Sequence, residues 1–294
     1  FGGLANFQAQ FMFEDQTVKN IEHLKNRLSQ VMIRNNKADI DYKLPSRTVE
    51  LIGVNLTAQE RLLYQGVNRY IKGEYQRRKL GKLSILSLIT LQREICSSSF
   101  AAYSTLNHMG LTDLAAMAAA INHNQKAEAV REILNRAEGK AIIFTEFKAT
   151  QGYLYSFLSE QGFSALCYNG DMKAWDRMLT RHLFQQEYPV LISTEAGGEG
   201  VNLQKANVVI NYDLPWNPMR VEQRIGRVHR LGQENNVKIY NLFAKDTVEE
   251  FILALLRRKI YLFTEAIGQL DQIVEGALEE DTEIMNYLHG ESAG

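Results

Sequence analysis

The chain is poor in residues that staple or interrupt a fold: two cysteines, Cys96 and Cys167, and four prolines in 294 residues. Two isolated cysteines outside a C-x-x-C pair exclude a thiolate metal cluster and argue against a disulfide framework, so a reducing compartment is expected. No run of 18 apolar residues occurs, which excludes a membrane-spanning helix. The opening stretch FGGLANFQAQFMFED has neither a basic n-region nor a cleavage pattern, so no secretory signal is expected. The missing initiator Met suggests a fragment of something longer. Charge of one sign is also lacking, with 33 Lys and Arg against 34 Asp and Glu and a net charge of −1. That balance excludes a uniformly basic nucleic-acid coat but leaves room for a local basic groove. The phosphate loop G-x-x-x-x-G-K-[ST] is absent, since Gly81-Lys82 and Gly139-Lys140 lack its context. The remainder, 45% hydrophobic and 23% charged, is ordinary soluble globular composition. It is long enough for one large domain or two small ones.

Hydrophobic spacing divides the chain in two. Residues 14–35 carry Val18, Ile21, Leu24, Leu28, Val31 and Met32 at helical intervals. After Leu44-Pro45, TVELIGVNLT reads as a strand. Thr57 followed by Glu60 is a capping-box pattern that opens a helix, and most of 82–136 is again helical. Beyond Gly139 the texture changes. KAIIFTE, SALCYNG, PVLIST, NVVINYD and VKIYNLF are short apolar runs, separated in places by helical stretches such as TQGYLYSFLSEQ and MKAWDRMLTRHLF. This alternation predicts an α/β core built on a parallel sheet with covered faces. The expected organisation is a connector with a strand at 1–56 and a helical insertion packing on the core at 57–138. The α/β core follows at 139–245, and a helical C-terminal brace and tail occupy 246–294. Cys96, on an apolar helical run, is expected to be buried, and the acidic end is expected as a surface helix or frayed tail.

One segment, VEQRIGRVHRLGQ, places Arg224, Arg227 and Arg230 three residues apart. Asn217-Pro218 is a helix start, and Gly232 is a plausible terminator. At roughly 100° per residue, Gln223, Arg227 and Arg230 fall within about 60° of one another, while Val221, Ile225 and Val228 face the opposite side. Like charges on one stripe repel. An external anion with several oxygens would relieve the repulsion, because guanidinium is suited to bidentate oxyanion contacts. A solvated basic face paired with carboxylates elsewhere is the competing reading. Upstream, TEAGGEGVNL follows an apolar strand, and its Gly197, Gly198 and Gly200 permit tight turning and close approach of backbone N–H groups to a ligand.

Together, ISTEAGGEGVNLQKANVVINYDLPWNP and RVEQRIGRVHRLGQ closely resemble motifs V and VI of superfamily-two helicase-like ATPases of the Swi/Snf type. AIIFTEFKATQGYL resembles motif IV, and LCYNGDMKAWDRMLTRHLF the next family block. VMIRNNKADIDYKLPSRTVELIGVNLTAQERLLY resembles the connector from the first motor lobe, and DTVEEFILALLRRKIYLFTEAIG the brace helix. The resemblance spans residues 30 to 270.

The resemblance implies a RecA-like second lobe: a parallel sheet flanked by helices, with an N-terminal helical extension and a C-terminal brace helix. In that family ATP binds between two such lobes, and the first holds the phosphate loop and Mg2+. Neither the loop nor the acidic box is present here, so the fragment alone is expected to be inactive. By similarity Arg227 and Arg230 are the arginine fingers, Gln223 lies beside them, and Gly200 and Asn202 line the nucleotide's sugar side. The family more widely carries Asp at the position of Asn202, a stronger acceptor for a ribose. Thr194, Gly197, Gly198, Thr145, Lys148, Asn169 and Gly170 are expected to meet a nucleic-acid backbone, and no residue is expected to bind a metal. Arg224 is expected to orient its helix through an ion pair within the lobe. His229 is expected to serve packing or surface, and Trp216 to pack the LPWNP loop. The implied partners are double-stranded DNA and the first lobe of the same parent chain. The implied location is cytoplasmic in a bacterial or archaeal source and nuclear in a eukaryotic one. An RNA-directed helicase lobe and a non-catalytic RecA-like docking module are the alternatives.

Overall fold

The apolar runs after Gly139 become strands because both of their faces are covered, which favours β-branched and aromatic residues throughout. The computed structural model describes residues 45–76, 82–194, 203–215, 217–254 and 256–257, with 9, 10, 20, 23 and 27 as isolated positions. The described residues form one six-stranded sheet. Its strands are β1 (Arg47–Val54), β2 (Lys140–Thr145), β3 (Ala165–Tyr168), β4 (Val190–Thr194), β5 (Ala206–Asn211) and β6 (Val237–Ala244). Their spatial order is β1-β6-β5-β2-β4-β3, and every pairing is parallel. All six strands therefore end on one edge, which in an open parallel sheet is where ligands bind. β1 pairs with β6 along its whole length, from Arg47 opposite Val237 to Val54 opposite Ala244, so the sheet draws a strand from well outside 139–245.

Alternation along β2 distributes the two cores. Ala141 and Ile143 point to one face, where α5 (Gln125–Arg136) supplies Val130 and Ile133 and α6 (Lys148–Glu160) supplies Leu154 and Phe157. Ile142 and Phe144 point to the other, against Phe184 of α7 (Ala174–Gln186) and Val221 and Ile225 of α8 (Pro218–Ile225). A truncation such as Ile142→Ala costs roughly 2–5 kcal/mol at a fully buried site of this kind.

A third core lies among α1 (Ala58–Gln76), α2 (Lys82–Ser97), α3 (Ser99–His108), α4 (Thr112–Ala119) and a C-terminal helix at 248–254. Leu63, Val67, Leu91, Leu106, Ala115, Ile252 and Leu256 fill it, together with Leu214 from the segment after β5. Cys96 is buried there too, and burial pushes its thiol well up. The capping box that opens α1 is present in both directions. Thr57 N–H donates to Glu60 Oε2 at 2.8 Å, and Glu60 N–H donates to Thr57 Oγ1 at 3.2 Å. The other Glu60 oxygen accepts from Asn124 Nδ2 and Gln125 N–H, both at 3.0 Å, which joins the start of α1 to the start of α5. Of the 14–35 stretch, residues 23 and 27 are helical. The acidic tail lies outside the described residues, and no described helix is long and apolar enough to cross a membrane.

Candidate functional site

The edge formed by the strand ends carries two groups of polar side chains. A third, the arginine segment, starts from it and runs back to the strand starts, where Leu203, Ala206 and Pro45 meet it. The first centres on Asp213, two residues beyond β5. Its Oδ2 accepts from the Thr145 hydroxyl at 2.6 Å, the Glu146 N–H at 2.9 Å and the Ser97 hydroxyl at 3.0 Å. Its Oδ1 accepts from Lys126 Nζ at 3.3 Å, and the same ammonium donates to Glu249 Oε1 at 2.8 Å. Lys126, Asp213 and Glu249 are 1%, 2% and 4% exposed, so this is an ion triad withdrawn from water. Burial works against the Asp213 charge, but Lys126 and the convergent donors hold its carboxyl below the ordinary range. At Glu249 burial dominates and pushes the carboxyl up to about 7, although Lys126 opposes it. Burial opposes the Lys126 charge as well, yet Glu249 and Asp213 raise its pKa above the ordinary value. The ammonium also lies 4.5 Å from the centre of the buried Tyr212 ring, a cation–π contact.

Thr145 was expected at a nucleic-acid surface, and the structure corrects that. The residue is fully buried and its hydroxyl is committed to Asp213. Strand polarity brings it to the right end of the sheet, but its side chain turns inward.

The second group lies at the ends of β3 and β4. Gln151, buried on α6, donates through Nε2 to the carbonyls of Tyr168 at 3.0 Å and Ile192 at 2.8 Å, and its Oε1 accepts from Asn169 Nδ2 at 2.9 Å. Asn169 in turn accepts the Asp171 N–H at 3.2 Å, shaping the exposed turn that contains Gly170. Lys148 is exposed beside it and pairs with Asp171. Thr194 ends β4; its hydroxyl is buried and has no hydrogen-bond partner among the described residues. Gly197, Gly198, Gly200 and Asn202 lie outside the described residues, as does Trp216.

The third group is the arginine segment. Asn217 caps α8 by accepting the Met219 N–H at 3.0 Å, and Pro218 occupies the first turn, as the sequence predicts. The helix is shorter than expected, ending at Ile225 rather than near Gly232. From Gly226 the chain continues as turns, with Arg227 N–H donating to Arg224 O at 3.1 Å and Val228 N–H to Ile225 O at 3.0 Å. A wheel of 3.6 residues per turn therefore does not set the relation of Arg227 to Arg230. Val221, Ile225 and Val228 are buried as predicted.

Two contacts accompany the early stop. Leu203, which follows the glycine-rich stretch, donates its N–H to the Arg227 carbonyl at 3.1 Å. Buried Gln233 donates through Nε2 to the carbonyls of Ala206 at 2.8 Å, Gln204 at 3.0 Å and Val228 at 3.2 Å. The Leu203 N–H and the Gln233 amide thereby occupy the Arg227 and Val228 carbonyls, which a continuing helix would use. Gly232 then turns the chain at φ +91°, a conformation that favours glycine.

The arginines divide in their surroundings. Arg224 is 4% exposed. It donates to the Asp213 carbonyl at 2.7 Å and to Asn211 Oδ1 at 3.1 Å, and it lies 5.4 Å from the Phe144 ring centre. Arg227 is half-buried and Arg230 exposed, and among the described residues neither guanidinium makes an ion pair or a hydrogen bond. Gln223 is exposed alongside. His229 is buried and donates from Nε2 to the Pro45 carbonyl at 2.8 Å, a packing role. Among the described residues no three His, Cys, Asp or Glu side chains converge on a possible metal position.

Sequence reasoning passed over Asp213, Lys126, Gln151 and Gln233. A lone Asp directly after an apolar strand in NYDLP was the available signal for the first. Nothing local marks the others.

An all-parallel sheet with helices on both faces, carrying a polar edge and an arginine turn beside it, defines a RecA-like α/β lobe. The model of the helicase conserved C-terminal domain matches residues 125–232, and that of the SNF2-related domain matches residues 1–101. A Bacillus subtilis protein described as the uncharacterized ATP-dependent helicase YqhH is 42% identical over 288 residues, covering 93% of this chain and 51% of its own length. The ATP-dependent helicase brm of Drosophila melanogaster is 27% identical, covering 94% of this chain and 18% of that protein. The Arabidopsis thaliana CHD3-type chromatin-remodeling factor CHR7 is also 27% identical, with shares of 95% and 24%. The crystal structure of the C-terminal part of the Fun30 ATPase domain has the same fold, with a TM-score of 0.58 at 21% identity over 73% of this chain and 90% of that one. Together these likenesses support a Snf2-type helicase C-terminal lobe. The chain spans about half the length of YqhH and a smaller share of the other two.

Proposed function

We propose that this chain is the second motor lobe of an ATP-dependent, DNA-stimulated translocase or remodeller. In this reading Arg227 and Arg230 act on ATP held by a first lobe of the same parent chain, which also holds Mg2+. The observation that carries the reading is the state of those two guanidiniums: three residues apart in sequence, beside Leu203 after the glycine-rich stretch, and without a carboxylate partner among the described residues. Water solvates both groups in the lobe, and guanidinium is suited to bidentate contact with an incoming phosphate. ATP supplies the transferable phosphoryl group, and the arginines stabilise the charge that develops on it, an effect on the order of 10³–10⁵ in rate in related chemistry. Gln223 lies on the exposed side of the same segment and would contact the nucleotide with them, as would Gly200 and Asn202.

The DNA backbone would meet Thr194, Lys148, Asn169 and Gly170, with the Gly197 and Gly198 amides. Supporting this are the buried Thr194 hydroxyl without a partner and the exposed Lys148–Asp171 pair. An exposed ion pair is weak and can be exchanged for a phosphate at little cost. Contacts of this kind are independent of sequence and sensitive to salt, as a motor that moves along DNA requires.

The test is ATP turnover by the full-length parent chain with duplex DNA, with RNA and with neither. Stimulation by duplex DNA together with loss of turnover in Arg227→Ala and Arg230→Ala is the expected result. Preferential stimulation by RNA would make this an RNA-directed lobe. Undiminished turnover in both variants would remove the arginine assignment, and a parent without any ATPase would leave a docking module.

A further inference from the structure

Arg227 and Arg230 lie on turns rather than within a helix, so something else must hold them in place. Leu203 and Gln233 hold the segment at its far end, and on the α8 side the contacts lead back to one residue. Arg227 N–H bonds to the Arg224 carbonyl. The Arg224 guanidinium is held by the Asp213 carbonyl, eleven residues upstream, at 2.7 Å. The Asp213 carboxylate is fixed at four points drawn from three other elements: Ser97 of α2, Lys126 of α5, and Thr145 with Glu146 at the end of β2. Its side chain thus secures the backbone carbonyl that secures the arginine segment.

We infer that Asp213 is a positioning residue for the arginine pair, with its buried carboxylate acting as the strand-end anchor from which α8 carries Arg227 and Arg230 back toward the strand starts. This rests on the motor-lobe reading above and names a residue that reading does not use. A buried carboxylate with four donors is a rigid reference point, because moving it strands several buried polar groups at once. Displacing a group that stabilises a transition state by about 1 Å can cost on the order of 10²-fold in rate without weakening ground-state binding.

Merely structural importance is the competing explanation, and the triad itself provides the control. Lys126 bridges two carboxylates, so either one can be made neutral while the remaining pair stays balanced. Asp213→Asn alters the side that holds Arg224. Glu249→Gln alters the side that holds the C-terminal helix, where the second Glu249 oxygen accepts the Ala244 N–H at 2.8 Å. Both variants lose contacts in the same buried cluster, and only the first touches the arginine anchor.

The experiment measures Tm, and kcat and KM for ATP at saturating duplex DNA, in the full-length parent chain, well below the melting temperature of each variant. Asp213→Asn should lower kcat about 10-fold or more with KM changed less than about 2-fold, while Glu249→Gln keeps kcat within about 2-fold despite a lowered Tm. Should Asp213→Asn not fold, Thr145→Val and Ser97→Ala each remove one donor to the same oxygen and should lower kcat by smaller steps in the same sense. A normal kcat in Asp213→Asn, or in both donor variants, beside an inactive Arg227→Ala overturns the inference and leaves the motor reading standing. Equal losses of kcat in the Asp213 and Glu249 variants reduce Asp213 to a stability role. A fully active Arg227→Ala removes both proposals together.

Discussion

Asp213 and Arg227 are fourteen residues apart in the chain, yet the protein treats their charges in opposite ways. Asp213 is withdrawn from water and given a partner for every lone pair it can use: an ammonium, two hydroxyls and a backbone amide. Arg227 and Arg230 stand nearer the surface with no ion pair among the described residues. A buried charge must be compensated within the fold, because its desolvation cost is several kcal/mol. A half-exposed charge can wait in water for a partner that arrives later. The comparison separates charges that hold the lobe together from charges that stay available, and it is the second kind that suggests chemistry.

The largest effect that would break this contrast is at the arginines. Arg227→Ala or Arg230→Ala should lower ATP turnover of the full-length chain by on the order of 10³-fold. Unfolding free energy should change by less than about 0.5 kcal/mol, as for surface positions generally. Steady-state kinetics with denaturant melts of the same samples checks both halves. The mirror image is expected at the triad. Lys126→Met leaves Asp213 and Glu249 as neighbouring buried carboxylates and should destabilise the chain by about 3–5 kcal/mol, read from the urea midpoint.

A smaller effect sharpens the comparison within the triad. The Glu249 carboxyl lies at about 7 in the fold against an ordinary 4.5, so the folded state holds its proton more tightly than the unfolded one. Its contribution to stability is full below about pH 4.5 and is lost as pH rises through 7. Asp213, held below its ordinary value, has the opposite sign: it stabilises above that value, and the contribution is lost as pH falls through the folded pKa. Glu249→Gln removes only the first. Between about pH 5 and 7.5, Tm of the unaltered chain should therefore fall more steeply than that of Glu249→Gln. An identical pH profile in the two would mean that Glu249 does not titrate there.

The smallest effect is at the outer edge. Lys148→Ala should reduce the slope of log affinity against log salt by about one and weaken binding to unrelated duplexes alike. A loss confined to particular DNA sequences would assign Lys148 to base contact instead.

Much of this was legible in the residues. Alternation after Leu44-Pro45 located β1 and bounded apolar runs located the strands after Gly139, and the Thr57–Glu60 box and the Asn217-Pro218 start are local patterns that fold as local patterns do. The motif wording carried the family. The length of α8 was not legible, because EQRIGRVHR is acceptable helix sequence. Beyond its end the Arg227 and Val228 carbonyls are taken by Leu203 and Gln233, whose approach depends on the packing of β5. Thr145 misled for a similar reason: strand polarity predicts which end a residue occupies but not whether its hydroxyl turns outward.

Periodicity and motif spacing by themselves determined which segments are strands and helices, and placed an arginine segment after a glycine-rich one, since each is written in residues close in sequence. The alternation of the two predicted a parallel sheet, but not its strand order. Which charges would be neutralised was decided only by tertiary structure. Lys126 reaches Glu249 across 123 positions and Asp213 across 87. No local rule foresees a partner at such separation, and only the folded chain brings the carboxylates to one lysine while leaving Arg227 and Arg230 without one among the described residues.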